Sequence, residues 1–351
     1  MTDGPAVEPL RYTEGEVASA LGPAWKQITL RGFQWMALGR ALDARMQGLQ
    51  RQGRVGFYGA ATGQEAVNVA AGLVSVADDW VYPGLREQLV ALVRGHSLAT
   101  YVHHLFADSL DPAQGRNMPC HPSAREVHYV SMSSVIGTQI SHAVGTAWGL
   151  RRDHLSAAAL AFFGDGATSS NDFHAGLNFA GVFRLPVLFC CTNNQWAISI
   201  PVERQTRSAT LASKARAYGF EGARVDGTDF VAAYSALSGA LGRIRGGTGP
   251  EMIEFLLYRM TPHSSSDDPG RYQPADWAAR ARAHDPFDRL DQWLSSLGLL
   301  TPELRRTIVD DAEREVRAAI ETAEATPPPS PETLTEDVYS STAPSRAARG
   351  G

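Results

Sequence analysis

Residues 157–194 read AAALAFFGDGATSSNDFHAGLNFAGVFRLPVLFCCTNN, and this stretch decides the fold. Ala157–Phe163 is an unbroken apolar run closed by Gly164, and Pro186–Thr192 is a second. Short runs without polar alternation predict strands buried on both faces. Between them Gly164–Thr168 reads as a turn and Asn171–Val182 as a helix. Strand, helix and strand in succession predict parallel pairing, because parallel neighbours need a crossover of about this length. The expected fold class is therefore α/β, a mostly parallel sheet with helices on both faces and extra N- and C-terminal helical segments.

Outward from this unit the signals thin. Residues 1–20 are polar and punctuated by Gly and Pro, which predicts an arm lying on a surface. Apolar residues from Ile28 to Gln52 follow helical spacing, with Gly53 as a C-terminal stop, although Gly32, Gly39 and Gly48 weaken that helix. Gly56–Gly63 reads as a glycine-rich turn, Gln64–Val76 as a buried helix and Trp80–Tyr82 as a short strand. Met252–Leu257 is a further strand candidate. Thr301–Ala325 reads as a terminal helix capped by Thr301, with Pro302 at its first position. The expected organisation is an N-terminal arm (1–27), one binding domain (28–325) and a Pro-rich tail (326–351).

The net charge of −5 leaves no basic footprint for nucleic acid. The longest apolar runs are far too short to span a bilayer, so no membrane partner is expected. Asp3, Glu8, Glu14 and Glu16 mark an N-terminus without the apolar core of a signal peptide, and a cytoplasmic protein is the expectation. Cys120, Cys190 and Cys191 form no CxxC pair and read as small core residues.

The chemistry lies at the ends of the two central strands. Gly164-Asp165-Gly166 follows the first and Asn193-Asn194 follows the second, with 26 residues between Gly166 and Asn193. Both groups fall at carboxyl ends of neighbouring parallel strands, where open α/β sheets bind ligands. Gly164 and Gly166 let backbone approach a diphosphate, and the N–H of Ala167 can face it. Asp165 and Asn194 supply hard oxygens. With a main-chain carbonyl just beyond Asn194, two diphosphate oxygens and a water, they complete six oxygens around Mg²⁺. A lone Gly-Asp-Gly is an ordinary turn; the spacing to the double Asn makes the joint signal specific.

GDG followed by NN is the thiamine-diphosphate motif, and the flanking text resembles the α subunit (E1α) of branched-chain 2-oxo acid dehydrogenases. The likeness runs through GRVGFY (53–58), YPGLREQ (82–88), GRNMPCH (115–121), VSMSSVIGTQISHAVG (130–145), RVDGTDF (224–230), YRMTPHSSSDDPGRY (258–272) and LTEDVY (334–339). It implies the thiamine-diphosphate-binding fold, with thiamine diphosphate and Mg²⁺ as cofactors. It also implies that Arg86 grips the diphosphate, that Leu85, Ser134 and Ile136 contact the cofactor, and that Trp196 gives its main-chain carbonyl to Mg²⁺. Ser133, Thr138 and Gln139 would hold a structural potassium ion, with helix capping by the two serines as the competing role. His263, in the polar loop PHSSSDDP, is the candidate catalytic residue, because a loop histidine of near-neutral pKa can bind a diphosphate oxygen or move a proton.

Several positions depart from the family pattern, among them Ser169-Ser170-Asn171, where Ser-Glu-Gly is usual. Leu85 stands where Tyr is common, Thr192 where mammalian relatives carry an Arg that touches the diphosphate, and Val135 where a Pro carbonyl is common. The implied reaction also needs a glutamate against the aminopyrimidine, and residues 30–290 are consumed by one α/β module. The resemblance therefore implies a β subunit in an α₂β₂ heterotetramer, a 2-oxo acid substrate and a lipoylated E2 acyltransferase. A pyruvate or acetoin dehydrogenase α subunit and a non-catalytic paralogue remain open on sequence. A nicotinamide dehydrogenase does not, because GxGxxG with its downstream acid is missing.

Overall fold

The computed structural model describes residues 7–264, 266–336 and 338. Helices α1 (Glu14–Leu21), α2 (Trp25–Arg51) and α3 (Glu65–Val74) precede strand β1 (Trp80–Tyr82). Helices α4 (Gln88–Val93), α5 (Leu98–Phe106) and α6 (Thr138–Arg152) lead into the central unit of β2 (Ala159–Gly164), α7 (Asn171–Val182) and β3 (Val187–Asn193). A hairpin of β4 (Trp196–Ala197) and β5 (Ile200–Pro201) follows, then β6 (Gly222–Asp226), α8 (Phe230–Arg245) and β7 (Glu251–Leu256). Helices α9 (Trp277–Ala283), α10 (Pro286–Ser296) and α11 (Pro302–Ala325) complete the order. Among the described residues no helix is long and apolar enough to cross a membrane.

The main sheet has five strands in the order β1-β2-β3-β7-β6, and every pairing in it is parallel. Successive residues of a strand point to opposite faces, and here both faces are buried. Leu160, Phe162, Leu188, Cys190, Ile253 and Phe255 join a core with Met36, Val67 and Leu237 of α2, α3 and α8. Ala161, Phe163, Val187, Phe189, Cys191 and Met252 join a second core with Ile140, Val144, Phe173 and Leu177 of α6 and α7. That two-sided burial is why the strands read as continuous apolar runs. It also sends Cys190 and Cys191 into different cores, where burial raises both thiols well above their ordinary range.

The N-terminal arm is different from its sequence reading. Thr13 caps α1 through a reciprocal pair with Glu16, and Leu10, Val17, Leu21 and Trp25 are buried in the first core. Helix α2 starts at Trp25, so the expected boundary at residue 27 falls inside it. The polar residues that suggested a surface arm cover one side of a segment whose apolar side is docked. Gly39, which weakens α2 on propensity, is needed by packing: a Cβ there would lie 2.6 Å from Leu89 Cδ1. Strand β6 escaped the sequence reading because it is an edge strand with little buried surface. The tail beyond α11 is described as far as 338, except 337, and includes a short 3₁₀ turn at Pro331–Thr335.

Candidate active site

Parallel strands β2 and β3 end in register, Gly164 opposite Thr192, which brings Asp165 and Asn194 to adjoining strand tips. Both line one cleft of about 500 Å³. Leu85, Arg86, Ser133, Ser134, Ile136, Gln139, Gly164, Gly166, Ala167, Trp196 and His263 line the same cleft. Of the expected potassium set, Ser133 and Gln139 line this cleft, and Thr138 is the first residue of α6. Capping by the two serines is not seen: α6 is capped by Gly137 with no side-chain bond.

Asp165 is almost fully buried, and burial lifts its carboxyl to about 6. Gln205 Nε2 donates to its Oδ2 at 2.6 Å and to the Ile200 carbonyl at 3.1 Å. The two asparagines divide their work. Asn193 is structural: its Nδ2 donates to buried Glu254 at 2.8 Å and its Oδ1 accepts from Gln195 N–H at 3.0 Å. Asn194 faces the cleft, and its Oδ1 accepts from Trp196 N–H at 3.3 Å. The Trp196 carbonyl lies 3.5 Å from Arg259 Nη1. Arg259 is itself buried, bonded to the Tyr272 hydroxyl and 3.8 Å from Asp267.

Gly166 has a packing reason to be glycine. A Cβ there would lie 2.7 Å from the Ala197 Cβ, so it lets the β4–β5 hairpin close over the Gly-Asp-Gly turn. At Gly164 a Cβ would meet nothing within 4 Å, which leaves open space at the strand tip.

Arg86 is buried, with Nη1 donating to the Ala60 carbonyl at 2.5 Å and Nη2 to the His263 carbonyl at 2.9 Å. Burial, together with Arg259, lowers it to about 10. The His263 imidazole departs from the near-neutral value read from sequence. Burial, then Arg86 and Arg259, push it down to about 4, so the ring is neutral at pH 7. Its backbone N–H donates to Asp267 Oδ2 at 2.7 Å, which pins the loop.

Other cleft residues had no role assigned from sequence. His121 Nε2 stands 2.6 Å from Ser134 Oγ, while its Nδ1 is 2.9 Å from the Pro119 carbonyl. Glu87, buried, is raised to about 7 by desolvation. Phe57 and Met118 join Leu85 in giving one wall its apolar character, and Gln64 lines it with a buried amide. GRVGFY, YPGLREQ and GRNMPCH had marked these segments, but nothing in their spacing shows that three separate loops converge. Among the described residues no three His, Cys, Asp or Glu side chains are grouped to hold a metal. Any ion held by Asp165 and Asn194 must therefore draw further oxygens from backbone and ligand.

These features define a parallel α/β protein whose cleft, at the carboxyl edge of its sheet, carries Asp165 and Asn194. More narrowly, the chain belongs to the dehydrogenase E1 component family, whose model matches residues 34–332. It is 38% identical over 317 residues to 2-oxoisovalerate dehydrogenase subunit alpha 2, mitochondrial, of Arabidopsis thaliana, covering 90% of this chain and 67% of that relative. Against 2-oxoisovalerate dehydrogenase subunit alpha of Bacillus subtilis it is 37% identical over 309 residues, 88% of this chain and 94% of the relative. Against 3-methyl-2-oxobutanoate dehydrogenase subunit alpha of Mycobacterium tuberculosis it is 39% identical over 291 residues, 82% and 77% of the two chains.

Proposed function

We propose that the chain is the α subunit of a branched-chain 2-oxo acid dehydrogenase that binds thiamine diphosphate and Mg²⁺ and works only with a β subunit. One observation carries the reading: Asp165 and Asn194 stand at adjoining strand tips and open into one cleft with Trp196. The donors are hard oxygens of the kind Mg²⁺ prefers, and the open space at Gly164 suits the diphosphate that would complete the shell.

In this reading Asp165, Asn194 and the Trp196 carbonyl hold the metal. Arg86 keeps its backbone-bound guanidinium facing the diphosphate; a guanidinium has five N–H donors, and the two carbonyls leave others free. Gly166 and Ala167 present the turn to the same group. Ile136, Ser134 and Leu85 shape the space beyond it, and Ser133, Thr138 and Gln139 are proposed to bind potassium. Thiamine diphosphate, when bound, supplies the electron sink for decarboxylation and for acyl transfer to the lipoyl group of an E2 protein. His263 is the catalytic residue contributed by this chain: its neutral imidazole can donate at one nitrogen and accept at the other.

The cleft is open on an apolar rim. Ile136 and Ile198, both lining it, are 64% and 53% exposed, and neighbouring Val135 is 68% exposed. Such a rim suits a covering subunit, which would bring the glutamate that stands against the aminopyrimidine and form the α₂β₂ heterotetramer. Assay of the reconstituted α/β pair with the 2-oxo acids of valine, leucine and isoleucine and with pyruvate tests the assignment. Turnover of all three branched-chain acids is expected; activity on pyruvate alone would overturn it.

A further inference from the structure

Gln64 lines the cleft, is 1% exposed, and has no hydrogen-bond partner at either Nε2 or Oε1. Among the described cleft residues it is the one side-chain amide with both atoms unpaired; Gln139 keeps a bond from Nε2 to the Phe162 carbonyl at 3.0 Å. An unpaired buried amide is costly, and a methionine of similar length would avoid that cost. The backbone leaves the side chain little choice of position. Gly63 has φ +96°, a Cβ there would collide with the Tyr258 carbonyl, and the Gln64 N–H donates to the Ala61 carbonyl at 2.8 Å.

The surroundings indicate what completes it. The Ala60 carbonyl, four residues before Gln64, accepts from Arg86 Nη1, and Asn68, four residues after, donates to the Arg86 carbonyl at 2.6 Å. Gln64 thus lies between two groups that fix Arg86 from opposite ends. The guanidinium of Arg86 in turn reaches the His263 backbone. An anion held by Arg86 would stand in the cleft that Gln64 also lines.

We propose that Gln64 Nε2 donates directly to an oxygen of the diphosphate that Arg86 holds, a contact that rests on the cofactor reading above. The neutral amide adds a donor without adding charge, in a subsite where Thr192 brings none of the positive charge that an arginine would.

The test uses the reconstituted α/β pair with Gln64→Met and Gln64→Glu. Calorimetry measures thiamine diphosphate, and separately inorganic pyrophosphate, each with Mg²⁺. Gln64→Met is expected to weaken both ligands by roughly tenfold to a hundredfold while the melting temperature without ligand holds or rises. Gln64→Glu should weaken both further, because an acceptor replaces the donor next to an anion. Three results would overturn the proposal: unchanged affinity for thiamine diphosphate in Gln64→Met, loss restricted to thiamine diphosphate with pyrophosphate unaffected, or a lower melting temperature without ligand. Failure of the unaltered pair to bind thiamine diphosphate would instead sink the functional reading, and this contact with it.

Discussion

Gln205 Nε2 donates to Asp165 Oδ2 at 2.6 Å across 40 residues of chain, from the 3₁₀ turn after β5 to the tip of β2. That bond occupies one carboxylate oxygen of a residue that lines the cleft. Orienting partners of this kind commonly change metal affinity by tenfold or more when removed. Gln205→Leu is therefore expected to weaken Mg²⁺-dependent cofactor binding by about tenfold to a hundredfold without unfolding the sheet. A magnesium titration of cofactor binding, with far-ultraviolet circular dichroism as the folding control, checks this. Unaltered magnesium dependence would show that Gln205 does not orient the carboxylate.

The two glycines of the turn should fail in different ways. Gly166→Ala forces a Cβ against Ala197, and overpacking of this kind costs about 1–3 kcal/mol. Gly164→Ala meets nothing in the protein and should melt like the parent, yet lose cofactor affinity because its methyl enters the open space at the strand tip. Denaturant melts and binding isotherms on both variants separate the two; equal stability loss in both would contradict the assignment.

Arg86 joins the carbonyls of Ala60 and His263. A lysine ammonium is a point donor and cannot replace that planar fork. Arg86→Lys should speed amide exchange in residues 261–264 as well as weaken cofactor binding. Unchanged exchange in that loop would mean the bridge does not hold it.

Burial raises the Glu87 carboxyl from 4.5 to about 7, while N–H donors from Arg86 and Gly84 and the Thr192 hydroxyl pull the other way. Between those values the folded state holds a proton that the unfolded chain has released, so this group makes stability fall as pH rises. Glu87→Gln removes that slope. Melting temperatures of the variant minus the parent should increase from pH 5 to pH 8. Parallel curves would show that Glu87 is ionised throughout.

Much of the fold is legible in the order of residues alone. Two strands buried on both faces appear as unbroken apolar runs, and α7 keeps its predicted limits, Asn171–Val182, because Ser170 caps it through the Phe173 N–H. Parallel register then puts Asp165 and Asn194 at adjoining strand tips, a placement that followed from a local pattern and one topological rule. The N-terminal segment misled because its polar residues are the visible half of a docked helix. The near-neutral reading of His263 failed because the ring is half-buried and because Arg86, far away along the chain, acts on it together with Arg259.

Periodicity, spacing and collinear motifs were enough to define the parallel α/β unit, the pair of oxygen donors at its strand tips and the family. The partners of those donors were settled by folding. Gln205 on Asp165, Arg86 on the His263 backbone 177 residues away and the unpaired amide of Gln64 all depend on where loops meet. Chain spacing carries no record of such meetings, which are set by how helices pack on the two faces of the sheet.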